Sequence, residues 1–501
     1  MMKRKHGLLR AVSLALACLL SACLSLPAFA QDAPSTSEEV QDAVLTAYDA
    51  YRSEVTADPV RMEEVTPRQT PVRMPEYYGF GTVDVDMDVC TISLDGRKMQ
   101  YMMQVYGNAD ENGLYPLYIA LHGGGGAPEE DNNQQWVSMQ EYYTDEIRDG
   151  IYVATRGMED VWNTHFLEDS YRMYDRLIED MILFHHADPN RVYLMGYSAG
   201  GDGVYAIAPR MADRFAGVNM SSGHPNSVSL LNTSSLPFLI QVGIRDYYSE
   251  DAMRSVRGAE FEDALNGYHE QYGFGYPHRV LVHVPNGHFI NDFTDAPGAS
   301  TVLTDPAAFA RRAVSENWLD RLMEIYTDHG NPDDVSSLSY AGNDEAFNAQ
   351  LLETVRGEFG LSVTQDVNAS AVDYVSSFVR NPAPDQVVWD LSTRASGRKN
   401  TAFYWLKADF SVNRGVVHAA YDRKSNTVTL EGADSLNGEI SILANPFLMD
   451  FSRPLTVRTA SGTCTVDLVM DAQTIASSIR ETGDPFLAWA QEIPFSPLNL
   501  N

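Results

Sequence analysis

Cysteine is scarce in this chain, with four in 501 residues. Two of them, Cys18 and Cys23, stand in an N-terminal stretch that reads as a removable leader, so Cys90 and Cys464 alone remain, expected as two buried free thiols rather than one bridge between domains. That count excludes a disulfide scaffold. Positive charge is the second shortage. Lys and Arg total 36 against 68 Asp and Glu, a formal net charge of −32, and loss of Lys3, Arg4, Lys5 and Arg10 with the leader takes it four units further, to −36. A chain so acidic is repelled by nucleic-acid phosphates and by anionic membranes, and neither is expected as a partner. The acidity is dispersed, with no acidic block spaced like a calcium loop, and no metal is expected. Internal repeats and long low-complexity runs are missing too. Apolar residues at 44% and aromatics at 10% are those of a chain with a buried core.

What is present begins with the leader. The basic residues Lys3 to Arg10 precede an apolar, small-residue stretch from Ala11 to Leu26, the layout of a signal peptide over residues 1–30. Cleavage after Ala28-Phe29-Ala30 is the favoured reading, helped by helix-breaking Pro27. The alternative is the box Leu20-Ser21-Ala22-Cys23, which reads as a lipid-anchor site at Cys23. Either way the expected location is secreted or cell-surface. Residues 31–75 are polar and contain several prolines, and read as a mobile leader with a helical stretch near Val40 to Glu54.

At 501 residues the chain exceeds one core, so two folded units are expected. From about Thr82, Val83, Val85, Met87 and Val89 alternate with Asp84, Asp86 and Asp88, the period of a half-buried strand with a solvated acidic face. Met99 to Tyr106 pairs with Thr91 to Leu94 through the Asp95-Gly96 turn. Short apolar runs then alternate with helical patterns: Leu117 to Leu121, Ile151 to Thr155, Arg191 to Met195, Phe238 to Val242 and Arg279 to Val284, with Ser170 to His185 and Glu260 to Gln271 among the helices. This alternation predicts an α/β domain over residues 76–330, a mostly parallel sheet flanked by helices. Residues 331–375 read as a helical insertion or linker. Over 376–501 about seven short strands separated by turn residues predict a β-sandwich-like C-terminal domain.

The chemistry centres on Gly196-Tyr197-Ser198-Ala199-Gly200-Gly201, directly after one predicted strand and before a helix-compatible stretch. A serine hydroxyl is a weak nucleophile unless it is held clear of the sheet beside a base, and a sharp strand-to-helix turn with small neighbours does this. Some 75 residues earlier, Leu121-His122-Gly123-Gly124-Gly125-Gly126 follows another strand. Its glycines let backbone N–H groups turn inward, as an oxyanion hole requires, and the expected donors are the amides of Ala199 and of Gly123 or Gly124. Asp246 follows the strand ending at Gly243, and His288 follows the next strand, so Ser198, Asp246 and His288 stand in the chain order of nucleophile, orienting acid and general base. Glu250 and Asp251 are the alternatives to Asp246. His122, Tyr197, Trp162 and His224 are candidates for the substrate pocket. His185 and His186 read as surface residues and His283 as a packed strand residue. The triad needs no cofactor, and none is expected.

The run LHGGGG, the segment DPNRVYLMGYSAGGDG, the VGIRD loop and NGH together resemble the α/β-hydrolase superfamily, and look most like exported esterases related to feruloyl esterases and polyhydroxybutyrate depolymerases. The resemblance covers about residues 95–300. Ala208-Pro209-Arg210-Met211-Ala212-Asp213 also looks like a group of bacterial hydrolases followed by a β-rich region. It implies an α/β-hydrolase fold and cleavage of a small-molecule or polysaccharide-linked ester through an acyl-enzyme. A peptidase using the same triad is the alternative, and a non-catalytic carbohydrate-binding protein is the reading from another class. Oligomeric state is not legible.

Overall fold

Residues 117–121 are apolar throughout and buried on both faces, as a central parallel strand must be. The computed structural model describes residues 35–76, 81–247, 253–284, 286–290, 300–329, 345–366, 370–398 and 400–495. The leader, with Cys18 and Cys23, lies outside the described residues, as do Glu250 and Asp251. The strands of one large sheet are β1 (Arg68–Pro75), β2 (Thr82–Leu94), β3 (Arg97–Tyr106), β4 (Tyr115–Leu121), β5 (Gly150–Thr155), β6 (Ala187–Tyr197), β7 (Gly217–Ser221), β8 (Phe238–Gly243), β9 (His278–His283), β10 (Ser300–Leu303) and β11 (Val363–Asp366). Their order is β1-β2-β3-β5-β4-β6-β7-β8-β9-β10-β11. Strands β5, β4, β6, β7, β8 and β9 run parallel, and the outer pairings, from β1 to β3 against β5 and from β9 to β11, are antiparallel.

Helices cover both faces of the sheet. They are α1 (Ser37–Thr56), α2 (Pro59–Glu64), α3 (Glu129–Met139), α4 (Ser170–His185), α5 (Ala199–Ile207), α6 (Arg254–Tyr272), α7 (Pro306–Ala313) and α8 (Trp318–His329). Alternate side chains of β4 and β6 feed two apolar layers. Leu117, Ile119, Leu121, Val192 and Leu194 join the layer of α4 and α5, while Tyr118, Ala120, Tyr193 and Met195 join Trp136 and Met139 of α3. Strand order, parallel centre and helices on both faces make this an α/β-hydrolase fold. Among the described residues no helix is long and apolar enough to cross a membrane.

Three expectations differ from what is observed. The described part of the segment read as a mobile leader, residues 35–75, forms two helices and a strand. Helix α1 opens with a capping box between Thr36 and Glu39, and Val40 and Val44 are fully buried. A polar composition hid this, because the helix buries a narrow stripe and leaves the rest in water. The ribbon β1–β2 is not half-buried along its length. Before Cys90, residues 82–89 of β2 pair with β1 and not with β3, so Val83 and Val85 stay 42% and 37% exposed. Residues read as a helical linker also supply β11, which adds an antiparallel edge beyond β10, so the large sheet extends past residue 330.

The C-terminal domain holds two sheets. One is Gln386–Asp390, Val416–Asp422, Thr427–Glu431, Leu455–Thr459 and Gly462–Val466; the other is Ala402–Phe403, Leu406–Lys407, Ile440–Ala444 and Gln491–Phe495. Trp389 of the first stacks on Phe403 of the second at 5.5 Å. The strand Gln491–Phe495 and the helix Ala472–Thr482 were not apparent from the sequence. Cys90 is buried and Cys464 half-buried, both as free thiols, so the expected burial holds for one of them.

Docking of this domain is polar and buried. Arg398 donates to both oxygens of Asp213 at 3.0 and 3.2 Å and to Asp175 at 2.9 Å. Arg380 donates to the Asp213 carbonyl and the Asp484 carboxylate at 2.9 and 2.7 Å, and Tyr404 donates to the Ala212 carbonyl at 2.9 Å. The segment Ala208 to Asp213, just beyond α5, is therefore the platform on which the second domain sits.

Candidate active site

Each candidate side chain hangs from the C-terminal end of a parallel strand, where loops on a rigid sheet converge. Ser198 follows β6 and forms the N-cap of α5, with φ 57° and ψ −119°. That left-handed φ is a strained conformation for a residue with a side chain, and its surroundings hold it there. The Ser198 amide donates to the Ser221 carbonyl at 2.9 Å, and the Asp202 amide closes the first helical turn onto the Ser198 carbonyl at 3.0 Å. Glycine is required beside it for room, since a Cβ on Gly200 would run into the Leu121 carbonyl and one on Gly196 into Gly200 itself.

The serine hydroxyl lies 2.9 Å from His288 Nε2, and His288 Nδ1 lies 3.0 Å from Asp246 Oδ2. Asp246 accepts on Oδ2, so His288 carries its proton on Nδ1 and offers the Nε2 lone pair to the hydroxyl. Asp246 is fully buried. Its backbone is fixed from both sides, its amide donating to Gly243 and its carbonyl accepting from Ser255 at 3.0 and 3.1 Å. The other carboxylate oxygen, Oδ1, faces the Arg254 guanidinium at 3.7 Å. Arg254 opens α6 and places a compensating positive charge beside this buried carboxylate.

The glycine loop folds against the strand-to-helix turn at Ser198, the elbow. A Cβ on Gly123 would stand 3.3 Å from Ser198 Cβ, and one on Gly125 would stand 3.3 Å from Ala199 Cβ. Gly124 has φ 97°, a conformation that only glycine adopts freely. Side chains fix this loop from behind. Asn132 of α3 accepts from the Gly125 amide at 2.7 Å and donates to the carbonyls of Gly125 and Ala127 at 2.8 and 3.0 Å. The His122 Nε2 accepts the Gly157 amide at 3.0 Å, so Nδ1 bears the proton and donates to the Gly123 carbonyl. His165 donates from Nε2 to the His122 carbonyl at 2.9 Å. Burial pushes His122 well below the ordinary histidine range, with the neighbouring His165 adding to it, and pushes His165 down to about 4. Both rings are thus neutral structural groups. His122 braces the loop from the protein interior, fully buried, which corrects its reading as a pocket residue. With these carbonyls engaged, the amides of Gly123, Gly124 and Ala199 have no hydrogen-bond partner among the described residues.

The other pocket candidates divide. Tyr197 is buried; its ring stacks on Tyr142 at 5.1 Å and lies 5.4 Å from the His288 ring. Trp162 is 59% exposed, its backbone against Gly125 and Gly126 and its ring edge-on to Phe166 at 5.3 Å. His224 is half-buried; its amide donates to Asp202 at 2.6 Å, and its Nδ1 accepts from the Asn226 amide at 3.0 Å. Asp202, in the first turn of α5, is pushed up to about 6 by burial, opposed by the His224 amide and Arg254. His185 and His186 end α4, with His186 as its left-handed cap. His283 is buried and donates to Gln241 Oε1 at 2.9 Å. That bond begins a polar chain through Gln241, Asn219 and Ser221 beneath the elbow, with Gln241 Nε2 donating to Asn219 at 3.0 Å and Asn219 to Ser221 Oγ at 3.0 Å.

Sequence reasoning missed Asn132, Arg254, Tyr142 and this chain. None of these carried a local signal: Asn132, for example, stands in the polar run Glu129 to Gln135 ahead of Trp136. No protein-family model matches the chain, and no curated protein matches it. Solved structures that it resembles include a thermostable esterase (16% identity, 50% of this chain and 70% of that one, TM-score 0.31). Others are a poly(3-hydroxybutyrate) depolymerase from Bordetella parapertussis (15%, 57% and 98%, 0.31) and a carboxylesterase from Lactobacillus plantarum (13%, 49% and 100%, 0.30). At these identities and scores the fold assignment rests on the chain's own strand order and elbow, which are those of an α/β-hydrolase.

Proposed function

We propose that this chain is an exported serine hydrolase that cleaves carboxylic esters through an acyl-enzyme. The observation that carries the reading is the continuous line from Ser198 Oγ through both nitrogens of His288 to buried Asp246, with contacts of 2.9 and 3.0 Å. In the first half-reaction Oγ bonds to the substrate carbonyl carbon as its proton passes to His288 Nε2. Asp246 stabilises the imidazolium, and the charge moving onto the carbonyl oxygen is met by the amides of Ala199 and of Gly123 or Gly124, each worth about 3 kcal/mol. Collapse of the tetrahedral adduct breaks the C–O bond, and the departing alkoxide takes the proton from Nε2. A water molecule then repeats the sequence and releases the carboxylic acid.

The substrate class of this reading is a small-molecule or polysaccharide-linked ester, with Trp162 and His224 as candidates for its pocket. Export by the leader, with cleavage after Ala30 or lipid attachment at Cys23, belongs to the same proposal, and the mass of the N-terminal peptide from membrane and medium fractions separates the two. Hydrolysis of p-nitrophenyl acetate and butyrate by purified residues 31–501 tests the chemistry. Wild type turns both over, and Ser198→Ala lowers kcat by on the order of 10⁴ or more. Turnover that survives Ser198→Ala would overturn the assignment of the nucleophile; cleavage of peptides but not esters would favour a peptidase.

A further inference from the structure

Several contacts hold the loop that carries His288. Asn286 accepts the Arg245 amide at 3.3 Å, and its side chain donates to the Phe289 carbonyl at 3.1 Å. On the far side of the imidazole, the Ile290 carbonyl accepts a hydrogen bond from the Tyr142 hydroxyl at 2.9 Å. The same Tyr142 ring stacks on Tyr197 at 5.1 Å and 26°, and Tyr197 is bonded directly to Ser198. Tyr197 in turn stacks on Phe289 at 6.2 Å and 28°. One side chain therefore touches the residue before the nucleophile and the second residue after the base.

Its neighbour extends the connection. Tyr143 packs edge-on against Tyr142 at 4.7 Å and donates to Ser221 Oγ at 3.4 Å, and the Ser221 carbonyl accepts the Ser198 amide. Both tyrosines close the segment that starts at the glycine loop and runs through α3. That segment thus meets the oxyanion side of the site at one end and the base at the other.

We infer that Tyr142 is a positioning residue that clamps the His288 loop onto the nucleophile elbow and so sets the Ser198 to His288 contact. The inference rests on the serine-hydrolase reading above. It requires both parts of the side chain: the hydroxyl, which ties Ile290, and the ring, which rests on Tyr197. A hydrogen bond between a phenol and a carbonyl is directional, so removing it frees the loop to move by tenths of an ångström to an ångström. Displacements of that size at reacting atoms cost up to roughly a hundredfold in rate.

The test uses the full mature chain with Tyr142→Phe and Tyr142→Leu. Steady-state hydrolysis of p-nitrophenyl butyrate and the second-order rate of Ser198 labelling by a fluorophosphonate are measured, with melting temperature and circular dichroism as folding checks. For Tyr142→Phe, which keeps the ring, kcat and the labelling rate are expected to fall together by roughly tenfold, with KM within about twofold. Tyr142→Leu is expected to fall further, so that phenylalanine partly rescues leucine. A merely structural tyrosine would lower the melting temperature without moving kcat at a temperature where the protein is folded. Folded Tyr142→Phe with wild-type kcat and labelling rate overturns the clamp, as does a change confined to KM. A wild-type protein with no Ser198-dependent turnover overturns the functional reading instead.

Discussion

Asp202 sits one helical turn beyond Ser198 with its carboxyl pushed up to about 6, because burial penalises its charged form more than the His224 amide and Arg254 relieve it. Between its ordinary value of 3.8 and about 6 the folded chain holds a proton that the unfolded chain has lost. Stability from this group is therefore full below pH 3.8 and declines as the pH rises through about 6. Asp202→Asn keeps an acceptor for the His224 amide and removes the charge. It is expected to stabilise the protein at pH 8 by up to about 3 kcal/mol, at ~1.4 kcal/mol per pKa unit, with the gain vanishing near pH 4. Urea midpoints of both proteins at the two pH values decide it, and an equal difference at both would contradict the account. Ser198, Asp246 and His288 were legible because each obeys a local rule: a glycine-flanked turn, or a strand end in a fixed chain order. Asn132, Arg254 and Tyr142 obey none. They matter through partners 7, 8 and 148 positions away, and the approach of those partners is set by packing.

Helix α1 shows the same limit for a whole element. Its sequence announces a helix by the Thr36–Glu39 capping box and the apolar positions Val40 and Val44, but nothing in it names the partners. In the fold it straps the two domains together. Ser37 and Gln41 donate to the Met449 and Pro446 carbonyls at 3.2 and 2.7 Å, Glu54 pairs with Arg480, and Tyr51 donates to Glu179 of α4. Beneath it Arg61 of α2 is buried between Glu179 and Asp180. Truncating Val40 and Val44 to alanine together is expected to cost about 2–4 kcal/mol, from lost burial and the cavities left. Denaturant unfolding measures this, and a loss below about 0.5 kcal/mol would show that the helix packs too loosely to act as a strap. The alternating strands of the α/β domain were legible because a buried parallel strand needs a continuous apolar run. The strands β1 and β11 were not, since edges bury little and carry a weaker pattern.

At the scale of the whole molecule, the buried charges between the domains decide how the chain unfolds. Arg398, Arg380 and Arg214 from both sides of the junction share Asp175, Asp213 and Asp484, and Arg214 also donates to the Thr482 carbonyl at 3.0 Å. Separation of the domains would strand these charges, so the α/β domain and the C-terminal sheets are expected to melt in one calorimetric transition. Arg398→Met leaves Asp213 and Asp175 without their buried partner and should lower stability of the whole chain by about 3–5 kcal/mol. Two resolved transitions in the wild type, or a loss confined to one of them, would contradict this coupling. The division into an α/β domain and a β-rich domain was visible in the rhythm of apolar runs. The rigidity of the junction was not, because isolated arginines and aspartates in sequence look like ordinary solvated charges.

The central claim is that Ser198 is an activated nucleophile, made so by His288 and Asp246. Its most direct measurement is peptide mapping by mass spectrometry after the mature protein reacts with a fluorophosphonate probe, with Ser198→Ala and His288→Ala alongside. The account predicts a single adduct on the peptide containing Ser198, absent in Ser198→Ala and slowed by at least about a thousandfold in His288→Ala. No adduct on the folded wild-type protein, or an adduct on another residue, would contradict it.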